Sequence, residues 1–271
     1  MKQIAWAVAL ALAGLGAAPA LAGAVSFVSV TGDDARSCAT PATACRTFQR
    51  AHDATSPHGE IVALTPGDYR PVTITKSISV TGVEGAGVFG GSGETIHIVI
   101  AAGPSDIVYL TSLTLDGAST ARSGVAPSPG ILESAAVDVR KCLIGNMKVK
   151  GTGVSTIGGR ALIEDSFLWS QGGLGLQGRS LVHRVVSAIT ATSGINSRGG
   201  ATTISDSSAS AGAAGIVLFD GSIFMNRSSI TGNSNKGYAA IGGVGLFSAG
   251  DNLIRGNGTN VDGPITNIGL R

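Results

Sequence analysis

The stretches "TTISDSSAS" (202–210) and "IFMNRSSIT" (223–231) decide the fold, because they repeat one pattern of residue types 21 residues apart. Apolar, polar and small residues follow the same order in both stretches, although few letters are shared. One position reverses its charge, from Asp206 to Arg227. Self-similarity at a period of about 20 to 50 residues is typical of solenoids and other repeat architectures.

The same pattern extends over a large part of the chain. Six segments show it: "VRKCLIG" (139–145), "IEDSFLW" (163–169), "VHRVVSA" (182–188), "ISDSSAS" (204–210), "MNRSSIT" (225–231) and "AGDNLIR" (249–255). In most segments one apolar residue is followed by two polar ones, which breaks the strict alternation of a straight strand and requires a bend. A strand, a two-residue corner and a second strand, repeated about every 21 residues, describe one coil of a parallel solenoid.

The third residue of each segment carries a charge whose sign alternates along the chain. These residues are Lys141, Asp165, Arg184, Asp206, Arg227 and Asp251. Successive coils of such a solenoid lie about 4.8 Å apart, so equivalent positions are neighbours in space. Opposite charges on neighbouring strands attract and like charges repel, and the sequence therefore predicts a structural charge ladder along one corner.

Upstream of these repeats lies "GEIVALTPGDYRPVTITKSISVTG" (59–82), which alternates apolar residues on both sides of a Pro-Gly turn. This stretch resembles the first complete coil of right-handed parallel β-helix proteins of the pectin-lyase-like superfamily. The order of segments in the whole chain is similar to that of small exported bacterial β-helix proteins of unestablished role. The resemblance implies an all-β, single-stranded, right-handed parallel β-helix, for which we expect about eight coils over residues 59–256, followed by a terminal turn and tail over 257–271.

The residues before the β-helix indicate an exported protein with a capped N-terminal end. Residues 1–22 have the basic start, apolar run and small-residue cleavage site of a signal peptide. Residues 23–58 form the expected cap, in which "RTFQRAHDATS" (46–56) predicts a short helix with an exposed His52.

Three cysteines fit an oxidising compartment, periplasmic or extracellular. We expect a disulfide between Cys38 and Cys45, because a metal site would require a neighbouring His or a second thiol pair. We expect Cys142 to stay unpaired and to pack as a small buried apolar residue.

Composition limits the partners. Removal of residues 1–22 leaves 18 basic and 17 acidic residues, a near-balance that argues against nucleic acid. We expect no membrane insertion of the mature chain, a monomeric state and no cofactor.

The segment "GLGLQG" (173–178) resembles a nucleotide-binding loop, but no helix-forming segment follows it, and we interpret it as a connector between coils.

Two alternatives remain open for the corner residues. Glu164, His183 and Arg184 could perform general acid–base chemistry on a uronic sugar, or they could simply neutralise one another within the charge ladder, which we favour. Calcium is disfavoured, because each corner carboxylate is flanked by cations. The N-T-D, G-H-G and R-I-K motifs of polygalacturonase-like enzymes are absent from the sequence. Trp169 is expected to point outward and either to bind a sugar face or to pack beneath a loop.

These observations favour an exported scaffold or binding module over an enzyme. The resemblance implies that its ligand is a polysaccharide or a cell-envelope carbohydrate. The alternative function is a polysaccharide lyase or glycoside hydrolase acting on a uronic-acid polymer.

Overall fold

The computed structural model describes residues 23–91, 95–127, 135–147, 151–170, 172–242 and 245–269, and in them the chain winds through three parallel sheets. Two sheets contain nine strands each and the third contains eleven. The prediction of an all-β parallel β-helix is therefore confirmed, with about nine coils rather than eight. The expected signal peptide, residues 1–22, lies outside the described residues.

Each complete coil contributes one strand to each sheet, in the order I, II, III, and sheet I has one further strand at each end. Sheet I consists of Gly23–Val28, Thr55–Ala63, Ile78–Thr81, Ile107–Thr111, Ala136–Arg140, Arg160–Glu164, Arg179–His183, Ala201–Ser205, Ser222–Asn226, Gly245–Ser248 and Ile265–Asn267. Sheet II consists of Gly67–Asp68, Ala86–Phe89, Thr114–Asp116, Leu143–Gly145, Phe167–Trp169, Val186–Ala188, Ser208–Ser210, Ser229–Thr231 and Leu253–Arg255. Sheet III consists of Val72–Ile74, Ile96–Ile100, Ser123–Pro127, Thr152–Ser155, Gly172–Gln177, Ser193–Arg198, Ala214–Leu218, Lys236–Ala240 and Thr259–Asp262.

The interior is built from rows of apolar side chains that stack from coil to coil. In sheet I, for example, Ile163, Val182, Ile204 and Met225 occupy one register row, and all four are buried. Full burial of an aliphatic side chain of this size contributes roughly 1.5–3 kcal/mol. The first apolar residue of the repeat is thus the one that faces the core.

The corner between sheets I and II bends at a single residue in the left-handed region. Lys141, Asp165, Arg184, Asp206 and Arg227 have φ values of 53°, 50°, 50°, 51° and 41°. This conformation explains how two consecutive polar residues can both face outward. The charged position of the repeat is therefore also the bend.

A buried serine follows the corner in several coils and explains the Ser-Ser pair of the repeat. Ser166 Oγ accepts a hydrogen bond from the backbone N–H of Cys142 at 3.1 Å. Ser228 Oγ accepts one from Ser207 N at 3.1 Å, and Ser207 Oγ accepts one from Val185 N at the same distance. Each hydroxyl satisfies a backbone donor of the preceding coil that would otherwise be buried without a partner.

The N-terminal end is closed by the predicted short helix, Phe48–Ala54, which follows a 3-10 turn at Pro41–Thr43. Gln49 Oε1 accepts a hydrogen bond from Thr73 N at 2.9 Å, and His52 Nε2 accepts one from Thr75 N at 3.2 Å. The expectation that His52 is exposed was wrong, since only 3% of its surface is accessible. The helix turns this side chain onto the first coil, where it caps an edge strand.

The cysteine predictions are confirmed. Cys38 and Cys45 form a disulfide with their Cα atoms 5.0 Å apart. Cys142 is a buried free thiol, and burial raises its pKa to about 12.

In two further segments the structure differs from what the sequence predicts. Residues 173–178 are not a connector, because Gly172–Gln177 is a strand of sheet III with Leu174 and Leu176 buried. Within 257–271, where we expected a turn and tail, Thr259–Asp262 and Ile265–Asn267 are strands. None of the helices in the described ranges has the length and apolar character needed to cross a membrane.

Candidate functional site

The candidate catalytic residues lie side by side on the corner between sheets I and II. Arg184 Nη2 donates to Glu164 Oε1 at 2.8 Å, and the same guanidinium donates to both carboxylate oxygens of Asp165. Arg140 Nη1 lies 3.5 Å from Glu164 Oε2. Glu164 is therefore held between two guanidinium groups.

The ladder continues into the following coils. Arg227 donates from Nε and Nη2 to Asp206 at 2.7 and 2.8 Å, and its backbone N–H donates to Asp251 Oδ1 at 3.0 Å. His183 Nδ1 lies 2.8 Å from Ser205 Oγ and 3.3 Å from Asp206 Oδ2.

Lys141 differs from Asp165, Arg184, Asp206 and Arg227, which form ion pairs. Within the described ranges it makes no ion pair shorter than 4 Å. Its corner nonetheless has the same left-handed conformation as those four residues.

Two carboxyls of the corner, those of Asp165 and Asp206, are poorly suited to donate a proton near neutral pH. The hydrogen bond from Arg184 lowers the pKa of Asp165, and that from Arg227 lowers the pKa of Asp206. The carboxylate of Asp165 in turn raises the pKa of Arg184. A general acid requires a carboxyl whose pKa is raised toward the working pH, whereas these two carboxyls are shifted away from it.

A groove runs across the outer face of sheet I, beside the corner. Its volume is about 410 Å³. Its lining consists of Ile107, Tyr109, Ala136, Val137, Asp138, Arg160, Ala161, Leu162, Arg179, Ser180, Leu181, Ala201 and Thr203. We call this surface the sheet I groove.

The register of the strands builds the floor of the sheet I groove. Tyr109, Asp138, Leu162, Leu181 and Thr203 occupy one outward-facing row of five successive strands. Tyr109 and Leu181 are 42% and 40% exposed. The row combines the apolar surfaces of Tyr109, Leu162 and Leu181 with the polar groups of Asp138 and Thr203, a usual composition of a ligand site.

The sheet I groove continues toward the capped end of the molecule. A smaller depression lined by His58, Ser77, Ser79 and Ser105 also includes Ile107 and Tyr109 and so joins it. Together the two depressions cross seven strands, from Thr55–Ala63 to Ala201–Ser205. At roughly 4.8 Å per strand this is a path of roughly 29 Å.

Trp169 lies on sheet II, away from the sheet I groove. Its neighbour Leu168 is buried, so Trp169 faces outward, and its ring centroid is 5.7 Å from that of Phe167. The indole covers Gly145, where an added Cβ would approach the ring to 2.3 Å. Trp169 is thus half-buried by packing and cannot line one site together with Tyr109.

The repeat pattern does not single out Tyr109, Arg160 or Arg179 as functional residues. A signal existed for the two arginines, because "GRAL" (159–162) and "GRSL" (178–181) place them at the same position of consecutive repeats. Within the described ranges, no three His, Cys, Asp or Glu side chains converge as metal ligands would.

Comparisons of the chain with protein-family models, with curated proteins and with solved structures found no match. The parallel β-helix therefore stands on the structure itself, and membership of the pectin-lyase-like superfamily stays a prediction.

Proposed function

We propose that the protein is an exported, monomeric β-helix that binds a polysaccharide along the sheet I groove without cleaving it. Export is inferred from residues 1–22, and the disulfide between Cys38 and Cys45 fits an oxidising compartment. The carbohydrate class comes from the resemblance to pectin-lyase-like proteins.

The observation that carries the proposal is the exposed Tyr109 ring on an apolar floor. A sugar ring has an apolar face and polar edges, so it fits a surface where Tyr109 and Leu181 are about two-fifths exposed and Asp138 and Thr203 supply polar groups beside them. The length of the path favours an extended polymer over a single sugar. A solenoid also holds this surface rigid, which lowers the entropic cost of binding.

Binding without cleavage is favoured by the state of the corner. Glu164 and Asp165 are each bonded to Arg184, and His183 contacts Ser205 and Asp206. The groups that a lyase or hydrolase would use are thus engaged with one another.

The test combines a glycan array with an assay for released reducing or unsaturated ends. We expect retention of at least one polysaccharide with no release of ends. Tyr109→Ala should weaken retention about tenfold, the loss expected when roughly 1.4 kcal/mol of aromatic contact is removed. Phe89→Ala is the matched control, since Phe89 is 36% exposed on sheet II and lies outside the groove.

Two outcomes would contradict the proposal. Loss of retention in Trp169→Ala but not in Tyr109→Ala would move the binding surface to sheet II. Release of sugar ends that Glu164→Ala abolishes would establish the lyase or hydrolase instead.

A further inference from the structure

One edge of the sheet I groove carries two arginines that face each other across neighbouring strands. Arg160 and Arg179 are directly paired in the register of sheet I, and both are exposed. Strand spacing places their Cα atoms roughly 4.8 Å apart. Both side chains line the sheet I groove.

This pair breaks the alternation of charge that the corner obeys. In the described part of the chain, no acidic side chain lies within 4 Å of either guanidinium. Asp138, the acidic residue of the groove lining, is bound by Arg140 at 2.7 and 2.9 Å. Like charges directly opposite each other destabilise a sheet, so a bound anion would relieve this repulsion.

The number and arrangement of donors favour one class of anion. A carboxylate has two oxygens and one charge, which a single guanidinium satisfies in a bidentate pair. A phosphate monoester has three acceptor oxygens and a charge of about −1.5 to −2. It can therefore accept hydrogen bonds from two guanidinium groups and neutralise both charges.

We propose that Arg160 and Arg179 form a subsite that binds a phosphate monoester carried on a saccharide. This inference rests on the proposed function, because Leu162 and Leu181 of the groove floor would contact the sugar while the arginines, two residues earlier on the same two strands, hold its phosphate. The subsite lies at the rim of the groove, so the sugar and the phosphate can be occupied together.

The experiment is calorimetric titration of the folded protein with glucose 6-phosphate, glucose 6-sulfate, glucuronate, glucose and inorganic phosphate. We expect glucose 6-phosphate to bind most tightly, with an affinity that decreases as salt is added. Arg160→Gln and Arg179→Gln should each weaken that binding about tenfold or more, as expected for loss of charge-assisted hydrogen bonds. Arg255→Gln removes the same charge from an exposed position on sheet II and should leave it within twofold.

The proposal is overturned if glucose 6-phosphate does not bind, or if both groove variants bind it as the wild type does. Equal affinity for glucuronate or the sulfate would overturn the choice of phosphate, and equal affinity for inorganic phosphate would overturn the saccharide. Retention of neutral glycans that depends on Tyr109, without any preference for the phosphorylated sugar, would leave the proposed function standing and remove only this subsite.

Discussion

At the scale of single residues, the charged corner residue both adopts an unfavourable left-handed backbone conformation and, in most coils, forms a favourable ion pair. A non-glycine residue in the left-handed region costs roughly 1–2 kcal/mol. Exposed ion pairs are worth little, and salt screens them. What holds the bend is the backbone ladder, in which Lys141 N and Asp165 N donate to carbonyls of the next coil at 3.1 Å each.

Lys141 offers a clean test of this balance. Its left-handed φ of 53° comes with no ion pair in the described ranges. We expect Lys141→Gly to raise the free energy of unfolding by about 0.5–1 kcal/mol, because relief of the strained backbone outweighs the entropy that glycine adds to the unfolded chain. Urea unfolding measures the difference.

Arg184→Gly is the matched comparison, since Arg184 has the same conformation but is bonded to Glu164 and Asp165. Its gain should be smaller than that of Lys141→Gly, and the gap should narrow at high salt. Equal gains at low salt would show that the ion pairs add nothing to the corner.

At the scale of elements, the N-terminal helix acts as a lid whose polar side chains complete the first coil. His52 Nε2 accepts a hydrogen bond from Thr75 N, which requires the unprotonated nitrogen. Burial lowers the pKa of His52, Lys76 lowers it further, and the hydrogen bond with Asp53 opposes both effects. The neutral imidazole is therefore the form that supports the cap.

This arrangement predicts a loss of stability in acid. Because the folded-state pKa of His52 is depressed below the unfolded value of about 6.5, its contribution is present above that pH and is lost as pH falls through the folded value. Urea unfolding at pH 7.5 and pH 5 should show a smaller decrease for His52→Gln than for the wild type.

The comparison with His52→Gln is needed because a second histidine also destabilises the fold in acid. His97 is buried too and has a lowered pKa, so its protonation acts in the same direction. An identical decrease in His52→Gln and the wild type would contradict the role given to His52.

The sequence predicts the features that recur at the same position from coil to coil, because packing or charge limits the residue type there. Inward residues such as Ile163 and Ile204 recur at one position, and so do the corner charges. The burial of His52 was missed because helical spacing identifies the face that bears Phe48 and Ala51 but not the edge strand that a polar neighbour will cap.

The sheet I groove was missed for a related reason. The residues of its floor come one from each strand, alternate with core residues and are 19 to 29 residues apart in sequence, as Tyr109 and Asp138 or Leu162 and Leu181 show. Outward positions are not constrained by packing, so only the strand register reveals that they form one surface.

At the scale of the whole molecule, the two ends of the solenoid are unequal. The first coil is covered by the strand Gly23–Val28 and the helix Phe48–Ala54, which bury Phe48 and Ala51. In the last described coil, residues 253–269 are exposed or only half-buried throughout. Since each coil contacts mainly its neighbours, stability should fall toward that exposed end.

Hydrogen exchange measures this gradient directly. We expect the amides of Ile265–Asn267 to exchange at least about 100-fold faster than those of Arg160–Glu164 on the same sheet, because a terminal coil opens without disturbing the coils behind it.

Ile163→Ala removes a fully buried side chain, should lower the free energy of unfolding by roughly 2–5 kcal/mol, and should speed exchange across many coils. Ile265→Ala should speed exchange in the last coil alone. Uniform exchange across the coils in the wild type would instead mean that the solenoid opens as one cooperative unit, and the independence of neighbouring coils would have to be abandoned.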